Sequence, residues 1–222
     1  KLNEASNGID RLSQEAFPEL KSFLETVEKH QPGNGSKYYP GSPLIAQDFL
    51  RPQDRAWLYE LHPADFEELQ KLFEYNPHVQ VRKEDGLKGL IKQVPPPSRR
   101  GLILIDPSYE IKTDYETVFR AIQHAHRRFA TGTYALWYPV VDRERVQQLE
   151  NRFIKSDIRD IQRFELGIRP DSEETGMTAS GMIVINPPWR LMEKMSEVLP
   201  KLESSLGNAE ATFSRCDVLV GE

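Results

Sequence analysis

The 222-residue chain has a single cysteine, Cys216, and no long apolar run. One cysteine cannot form an internal disulfide, which predicts a protein of the reducing cytoplasm. Every apolar stretch falls far short of the roughly 20 residues that a membrane helix needs. No charged segment followed by an apolar one marks an amino-terminal signal. These absences predict a soluble protein without a membrane partner.

Motifs of several enzyme classes are also absent. No group of Cys and His residues has the spacing of a metal site, so no metal is predicted. The chain has neither a nucleophile elbow nor a Walker loop. It opens on Lys1 without Met, and no Gly-rich strand-to-helix turn precedes the first candidate strand. We therefore expect that a further segment precedes Lys1.

The composition, with 38% hydrophobic and 28% charged residues, is that of an ordinary globular protein, and the length predicts one domain, residues 1–222. The net charge of -5 argues against binding nucleic acid by bulk attraction alone. From Phe119 to Pro170, however, the sequence contains ten Arg or Lys and six Asp or Glu, an excess of four positive charges, so the rest of the chain carries a net charge of -9. This excess indicates either a basic face or arginines that are exposed to solvent on helix surfaces.

Three apolar segments in the first half predict parallel strands separated by helices. The first is Ala56 to Leu61, the second lies around Val79 and Val81, and the third is Gly101 to Ile105. The run from Gly101 has no polar interruption, which predicts a strand covered on both faces. Strands alternating with helices are typical of right-handed βαβ units, so we predict an α/β fold with a mostly parallel sheet.

An acid follows each of these strands: Glu60, Asp85 and Asp106. The carboxyl ends of parallel strands form the sheet edge where open α/β folds bind ligands. Glu60 is suited to accept hydrogen bonds from both hydroxyls of a ribose, and Asp85 is suited to accept one from an adenine amino group. Gly86, which has no side chain, allows the backbone to come close to the adenine ring. Each acid could instead cap the helix that follows it. Together the three acids favour a nucleoside-containing cofactor.

The segment Asp106-Pro-Ser-Tyr indicates chemistry on an exocyclic amine. Asp106 and the carbonyl of Pro107 can accept the hydrogens of such an amine, which draws its lone pair out of conjugation with the ring. Tyr109 can stack on the base, the usual way of holding a flipped-out base. The alternative is a proline-containing turn with a capping Asp.

A similar segment, Asn186-Pro-Pro-Trp, follows the apolar residues Met182 to Ile185. This strand lies late in the chain between two long alternating segments, Ile158 to Ile168 and Ala211 to Val220, with which it can pair antiparallel. If it runs against the central strands, Asn186 lies at the sheet edge opposite the three acids. We therefore predict one late antiparallel strand and prefer Asp106 to Asn186 as the catalytic residue.

Near the start, Pro18 and the apolar positions up to Val27 predict a helix. Ser42 and Pro43 predict the N-cap and first position of a second, short helix. The free amides at its N-terminus can bind an anion or a carboxylate.

Long motifs of this chain, from about residue 10 onward, resemble the bacterial family that methylates N6 of one adenine in 23S ribosomal RNA, a family also described as involved in using external DNA. The matching segments are Tyr38-Tyr-Pro-Gly-Ser-Pro-Leu-Ile-Ala, Glu60-Leu-His-Pro, Asp85-Gly86, Arg99-Arg-Gly-Leu-Ile-Leu-Ile-Asp-Pro, Thr131-Gly-Thr-Tyr-Ala-Leu-Trp-Tyr-Pro-Val and Met177-Thr-Ala-Ser-Gly-Met-Ile-Val-Ile-Asn-Pro-Pro-Trp.

The resemblance implies a Rossmann-like methyltransferase that uses S-adenosylmethionine, with a small helical insertion near the start, here residues 9–50. It implies that the cofactor contacts Ser42, Glu60, Asp85, Gly86 and Asp106, and that Asp106 is catalytic. It also implies a first strand and a Gly-containing cofactor loop, which we expect upstream of Lys1. The family's motif has two prolines after its acid, whereas the second position here is Ser108.

The expected function is methyl transfer to an adenine N6 of 23S ribosomal RNA. Two alternatives remain at this point. One is an adenine or cytosine amino-methyltransferase of DNA, because Asp at the first motif position does not separate the two substrates. The other is a degenerate, inactive protein that binds DNA or RNA.

Overall fold

The computed structural model describes residues 8–32, 38–109, 114–171, 176–207 and 211–222. The chain divides into two compact units, Lys1–Lys92 and Gln93–Glu222. No helix in the described ranges has both the length and the apolarity that a membrane crossing requires.

The described part of the first unit contains two strands, and its helices surround a small core. Short 3₁₀ turns span Ile9–Arg11 and Pro18–Leu20. The helices are α1 (Lys21–Lys29), α2 (Ser42–Phe49), α3 (Pro63–Leu72) and α4 (Gly86–Gln93), and the strands are β1 (Ala56–Tyr59) and β2 (Val79–Arg82). The helices α1 and α2 confirm the helical segments predicted near the start. β1 and β2 pair in parallel, from Ala56 opposite Val79 to Tyr59 opposite Arg82.

The core of this unit is formed by apolar side chains from both strands and two of the helices. Leu44 of α2, Phe73 at the end of α3 and Val79 of β2 are buried, and Leu58 and Leu69 pack against them. These contacts fix the strands against α2 and α3. The carboxyl ends of β1 and β2 lie side by side because the two strands are parallel.

The second unit is built on a five-stranded sheet with the order β3-β4-β6-β5-β7. Its strands are β3 (Leu102–Ile105), β4 (Thr133–Val140), β5 (Ile161–Gly167), β6 (Ala179–Ile185) and β7 (Phe213–Val220). Its helices are α5 (Asp114–Arg128), α6 (Arg143–Ile154) and α7 (Leu191–Leu206). The buried side chains of α5 and α6 and those of β4 and β6 form the larger core of the molecule.

Strand directions confirm an α/β fold with parallel strands early in the chain and an antiparallel strand late. β3 and β4 are parallel, whereas β6 is antiparallel to both β4 and β5. β7 is also antiparallel to β5, so the antiparallel part is larger than the sequence predicted. The alternating patterns of β5 and β7 indicated pairing but not how many partners each strand has.

The prediction that the strand from Gly101 is covered on both faces is wrong for the described residues. β3 lies at one end of the five-stranded order, and Leu102 and Leu104 are 71% and 50% exposed. Only Ile105, on the other face, is buried. An apolar run shows that a strand lacks polar residues, but the elements that pack on the sheet decide which of its faces are covered.

Candidate active site

Asp106 lies at the carboxyl end of β3, as predicted. β3 pairs in parallel with β4 from Leu102 opposite Thr133 to Ile105 opposite Leu136, so Asp106 comes level with Trp137. Its side chain is open to solvent on one side. The protein around it removes enough water to raise the pKa of the Asp106 carboxyl above its ordinary value. An accessible carboxylate with a raised pKa is suited to orient and accept protons.

Tyr109 is held firmly beside this carboxylate. Its backbone has a φ of 52°, in the left-handed region that non-glycine residues seldom occupy. Its hydroxyl donates to the carbonyl oxygen of Trp137 at 2.7 Å. Its ring centroid lies 4.6 Å from that of Tyr115 and 6.2 Å from that of Trp137. Burial raises the pKa of Tyr109, so the phenol stays a neutral donor.

Tyr115 and Trp137 are functional candidates that the sequence reasoning missed. Tyr115 is buried, and its hydroxyl donates to the carbonyl oxygen of Pro139 at 3.1 Å. It therefore ties the start of α5 to the end of β4 while its ring supports Tyr109. Their aromatic character was visible in the sequence, but the contacts depend on the pairing of β3 with β4. Between Tyr109 and Tyr115, residues 110–113 lie outside the described ranges.

Pro107 is half-buried and Ser108 is exposed. Ser108 forms no hydrogen bond to another described residue, so in this part of the chain the serine adds no second anchor to the turn. The turn is instead held at its two ends, by β3 and by Tyr109.

Glu60 follows β1 directly. Its backbone amide donates to the carbonyl oxygen of Arg82 at 3.1 Å, which continues the pairing of β1 with β2. Its carboxylate Oε1 accepts from the amide of His62, the N-cap of α3, at 2.7 Å. One carboxylate oxygen of this half-buried side chain thus supports the start of α3.

Asp85 acts as a helix cap, which was the alternative interpretation of the acids. Its Oδ1 accepts from the amides of Leu87 at 2.9 Å and Lys88 at 3.4 Å, at the start of α4. Its Oδ2 lies 3.7 Å from Lys88 Nζ. Capping engages mainly Oδ1, so a ligand-binding role would fall to Oδ2.

Gly86 and Gly89 allow α4 to approach β1 closely. A Cβ at Gly86 would lie 3.2 Å from Tyr59 Cβ, and one at Gly89 would lie 2.2 Å from the Tyr59 ring. Gly89 therefore requires the absence of a side chain more strictly than Gly86 does. In this unit the parallel pairing brings Glu60, Asp85 and Gly86 to the same ends of β1 and β2.

Ser42 is not the N-cap of its helix, and that prediction is wrong by one residue. α2 begins at Ser42, and the extended Gly41 is the N-cap, whose carbonyl accepts from the amides of Leu44 and Ile45. The Gly41 cap supplies no side-chain hydrogen bond to the first turn. Glycine is an accepted N-cap, and the sequence pattern does not separate it from serine one residue later.

Asn186 lies at the sheet edge opposite Asp106, as predicted. β6 runs against β4 and places Ile185 opposite Tyr134, near the start of β4. Both hydrogens of the Asn186 side-chain amide are engaged, since Nδ2 donates to the carbonyl oxygens of Ala130 and Gly132, each at 2.7 Å. These bonds give Asn186 a structural role in joining β6 to the turn before β4.

A charged cluster lies beyond the end of β4. Arg143 Nη1 donates to both carboxylate oxygens of Glu165 at 2.8 Å, and Arg143 Nε donates to Asp171 at 2.7 Å. Glu165 is fully buried and also accepts from the Tyr138 hydroxyl at 3.1 Å. Hydrogen bonding to Arg143 lowers the pKa of Asp171. The cluster anchors the start of α6 and the segment after β5 to the centre of the sheet.

No group of three or more His, Cys, Asp or Glu side chains within the described ranges is arranged to hold a metal ion. Within the first unit, the ends of β1 and β2 carry oxygen acceptors of the kind that bind a nucleoside. Within the second unit, the end of β3 carries an oxygen acceptor beside an aromatic ring, which suits an amine on a base.

Comparison with known proteins identifies the family of the chain. Residues 1–218 match the family model for ribosomal RNA large subunit methyltransferase D, RlmJ. The ribosomal RNA large subunit methyltransferase J of Escherichia coli K12 is 47% identical over 219 residues, which cover 96% of this chain and 78% of that protein. The enzyme of the same name from Haemophilus influenzae is 46% identical over 209 residues, or 93% and 74% of the two chains.

A crystal structure of a Legionella pneumophila protein is also similar. It is 36% identical, with a TM-score of 0.83 over 90% of this chain and 73% of that chain. These matches confirm the resemblance drawn from the motifs. The chain belongs to the RlmJ family of ribosomal RNA large subunit methyltransferases.

Proposed function

We propose that this chain transfers a methyl group from S-adenosylmethionine to N6 of an adenine in 23S ribosomal RNA, with Asp106 as the catalytic residue. The observation that carries the proposal is the solvent-open Asp106 carboxylate at the end of β3, beside the fixed ring of Tyr109. Membership of the RlmJ family supports the reaction and the RNA substrate. Both curated relatives are named for ribosomal RNA, and no observation favours DNA or an inactive binding protein.

Asp106 orients the amine and receives its hydrogens. A carboxylate that accepts from the exocyclic amine draws the nitrogen lone pair out of conjugation with the ring, which makes the nitrogen a better nucleophile. The nitrogen becomes strongly acidic only as its bond to the methyl carbon forms, so no strong base is needed beforehand. The raised pKa of Asp106 makes it a better acceptor for the proton that then leaves.

Pro107 and Tyr109 hold the base. The carbonyl of Pro107 is the second acceptor for the amine, and the Tyr109 ring stacks on the adenine. The ring is already fixed by its hydrogen bond to Trp137 and by Tyr115 behind it. Little side-chain freedom is therefore lost when a base binds.

Ser42, Glu60, Asp85, Gly86 and Asp106 are the residues that would hold S-adenosylmethionine. When bound, this cofactor supplies an electrophilic methyl group on its sulfonium. The chemistry of the available acceptors fits: Glu60 offers a half-exposed carboxylate to the ribose hydroxyls, and Asp85 offers Oδ2 to an amino group. In the first turn of α2, the amides of Leu44 and Ile45 donate to Gly41 and Pro43 has no N–H, so the Ser42 amide would be the one that donates to a carboxylate.

Asp106→Asn tests the assignment, because it keeps the shape and an oxygen acceptor but removes the negative charge. We expect kcat for methylation of a 23S ribosomal RNA transcript to fall by roughly 100-fold or more, as for other lost electrostatic contacts in transition states. RNA affinity should change little. Asp157→Asn removes an exposed acid and should retain the wild-type rate. A wild-type kcat for Asp106→Asn would overturn the role of Asp106.

A further inference from the structure

We propose that Trp189 is a stacking platform for an unpaired nucleotide of the RNA substrate, at the sheet edge opposite Asp106. Trp189 is 95% exposed, more than any other large apolar side chain in the described ranges. A solvent-exposed indole gains nothing from the protein core, whereas base stacking on an aromatic ring is a main source of affinity for single-stranded RNA. The proposal rests on the proposed function for its RNA partner but concerns a different surface.

The backbone that carries Trp189 is fixed. Asn186 has a φ of 50°, and its side chain is tied to Ala130 and Gly132. Its backbone amide donates to the carbonyl of Asp160 at 2.9 Å, and its own carbonyl accepts from the Thr133 hydroxyl at 2.8 Å. Four hydrogen bonds therefore hold the residue from which the segment leaves β6.

The segment beyond Asn186 is equally constrained. Pro187 and Pro188 have restricted φ angles. Beyond Trp189, α7 begins at Leu191, whose amide donates to the carbonyl of Pro188 at 2.8 Å. Leu191 packs against the buried cluster of Phe164, Val184 and Leu199. A fixed backbone keeps the exposed indole in one place, so less conformational entropy is lost on binding than from a mobile loop, which favours a recognition role.

Positive charge without an acidic partner among the described residues lies along the same edge. Arg99 and Arg100 precede Gly101, whose carbonyl accepts from the Thr133 amide at 3.1 Å, and Thr133 in turn bonds to Asn186. Arg127 precedes the turn to which Asn186 is tied. The three arginines are exposed, and none forms an ion pair with a described acid. Arginines available to phosphates next to an exposed indole favour RNA over an apolar protein partner.

The charge is not uniform along this edge. Asp160 and Glu222 lie toward β5 and β7, and burial, together with the nearby Glu222 carboxylate, raises the pKa of Asp160. Arg190, next to Trp189, is paired with Glu193 at 2.5 Å. The cations available to RNA therefore lie on the side of β3 and β4, and we infer that the backbone of the bound strand follows that side.

Trp189→Ala tests the platform, with Tyr75→Ala as a matched control because Tyr75 is 89% exposed in the first unit. The probes are a single-stranded oligoadenylate of about 12 nucleotides and a blunt RNA duplex of the same length, within the usual range of single-strand sites. Binding is measured by fluorescence anisotropy of the labelled RNA without cofactor. We expect Trp189→Ala to weaken single-strand binding by roughly 5- to 100-fold, the range that base stacking gives. Tyr75→Ala and Trp189→Phe should remain near wild type.

The proposal would be overturned if Trp189→Ala and wild type bound the single strand with equal affinity. It would also be overturned if Trp189→Ala weakened binding of the duplex, whose bases are already stacked, as much as binding of the single strand. The absence of measurable RNA binding by the wild-type chain would overturn it as well. Methylation by wild type and Asp106→Asn is read separately, on a 23S ribosomal RNA transcript. If Trp189→Ala binds single-stranded RNA as wild type does but the wild-type chain methylates the transcript normally, the platform is wrong and the proposed function stands. If the wild-type chain does not methylate the transcript but binds single-stranded RNA through Trp189, the proposed function is wrong and the platform stands.

Discussion

Asp106, the residue on which the proposed chemistry depends, also costs the folded protein stability. Its pKa is raised because the folded protein desolvates the charged form, so the folded state is penalised whenever Asp106 is ionised. The penalty is present above the folded pKa and disappears as the pH falls below the unfolded value, since the folded state takes up the proton first. Retaining a destabilising group at this position is consistent with a functional role.

Asp106→Asn should therefore be more stable than wild type at neutral pH, and the difference should shrink as the pH falls through the raised pKa. Urea unfolding of both proteins at several pH values between about 4 and 8 measures this, a range that spans the usual carboxyl pKa and neutrality. Glu67→Gln, which neutralises an exposed carboxylate on α3, is the control. A stability difference independent of pH would show that desolvation of the charge is not its cause.

At the scale of elements, one buried ion pair joins the start of α6 to β5. Glu165 is fully buried in β5, and both of its oxygens accept from Arg143 at the start of α6. Removing one partner of a buried pair leaves an uncompensated charge and costs about 3–5 kcal/mol. Arg215, 3.7 Å from Glu165, offsets a part of this cost.

We predict that Arg143→Met lowers the free energy of unfolding by about 3 kcal/mol or more. Arg145→Met is the matched control, because Arg145 lies on the same helix and pairs at 2.9 Å with Asp142, whose side chain is 40% exposed. Exposed pairs contribute about 0–1 kcal/mol. Chemical denaturation at neutral pH measures both variants. Similar losses for the two would show that the Glu165 pair contributes no more than a surface contact.

Local sequence patterns were sufficient to predict the features that depend on neighbouring residues. They did not predict the contacts and exposed faces that depend on pairing between residues far apart in the chain. Periodicity predicted the helices and strands, and strand direction separated Asp106 from Asn186. The exposed face of β3 and the contact of Tyr109 with Tyr115 depend on sheet order and register, which no local pattern encodes. The burial of Glu165 also carried no clear signal, because β5 contains Gln162 and Arg163 as well, and polar residues of an alternating strand are ordinarily expected on a solvated face.

At the scale of the whole molecule, the two compact units differ in how much core they hold. Of the buried hydrophobic side chains in the described ranges, seven lie in the first unit: Phe17, Leu24, Val27, Leu44, Phe73, Val79 and Leu90. The other 25 lie in the second unit. A core of seven side chains is small for 92 residues that would have to fold alone. The boundary between the units, after Lys92, also falls inside α4, whereas domain boundaries usually fall in exposed linkers.

We therefore predict that residues 1–222 unfold as one cooperative domain. Trp57 reports on the first unit, and Trp137 and Trp189 report on the second. Fluorescence of Trp57→Phe follows the second unit alone, and that of a Trp137→Phe/Trp189→Phe double variant follows the first. If the chain is one domain, each variant shows a fluorescence midpoint in urea that coincides with its own midpoint from circular dichroism. A Trp57 signal that changes before the circular dichroism signal would mean that the smaller core unfolds independently, and that the chain contains two domains.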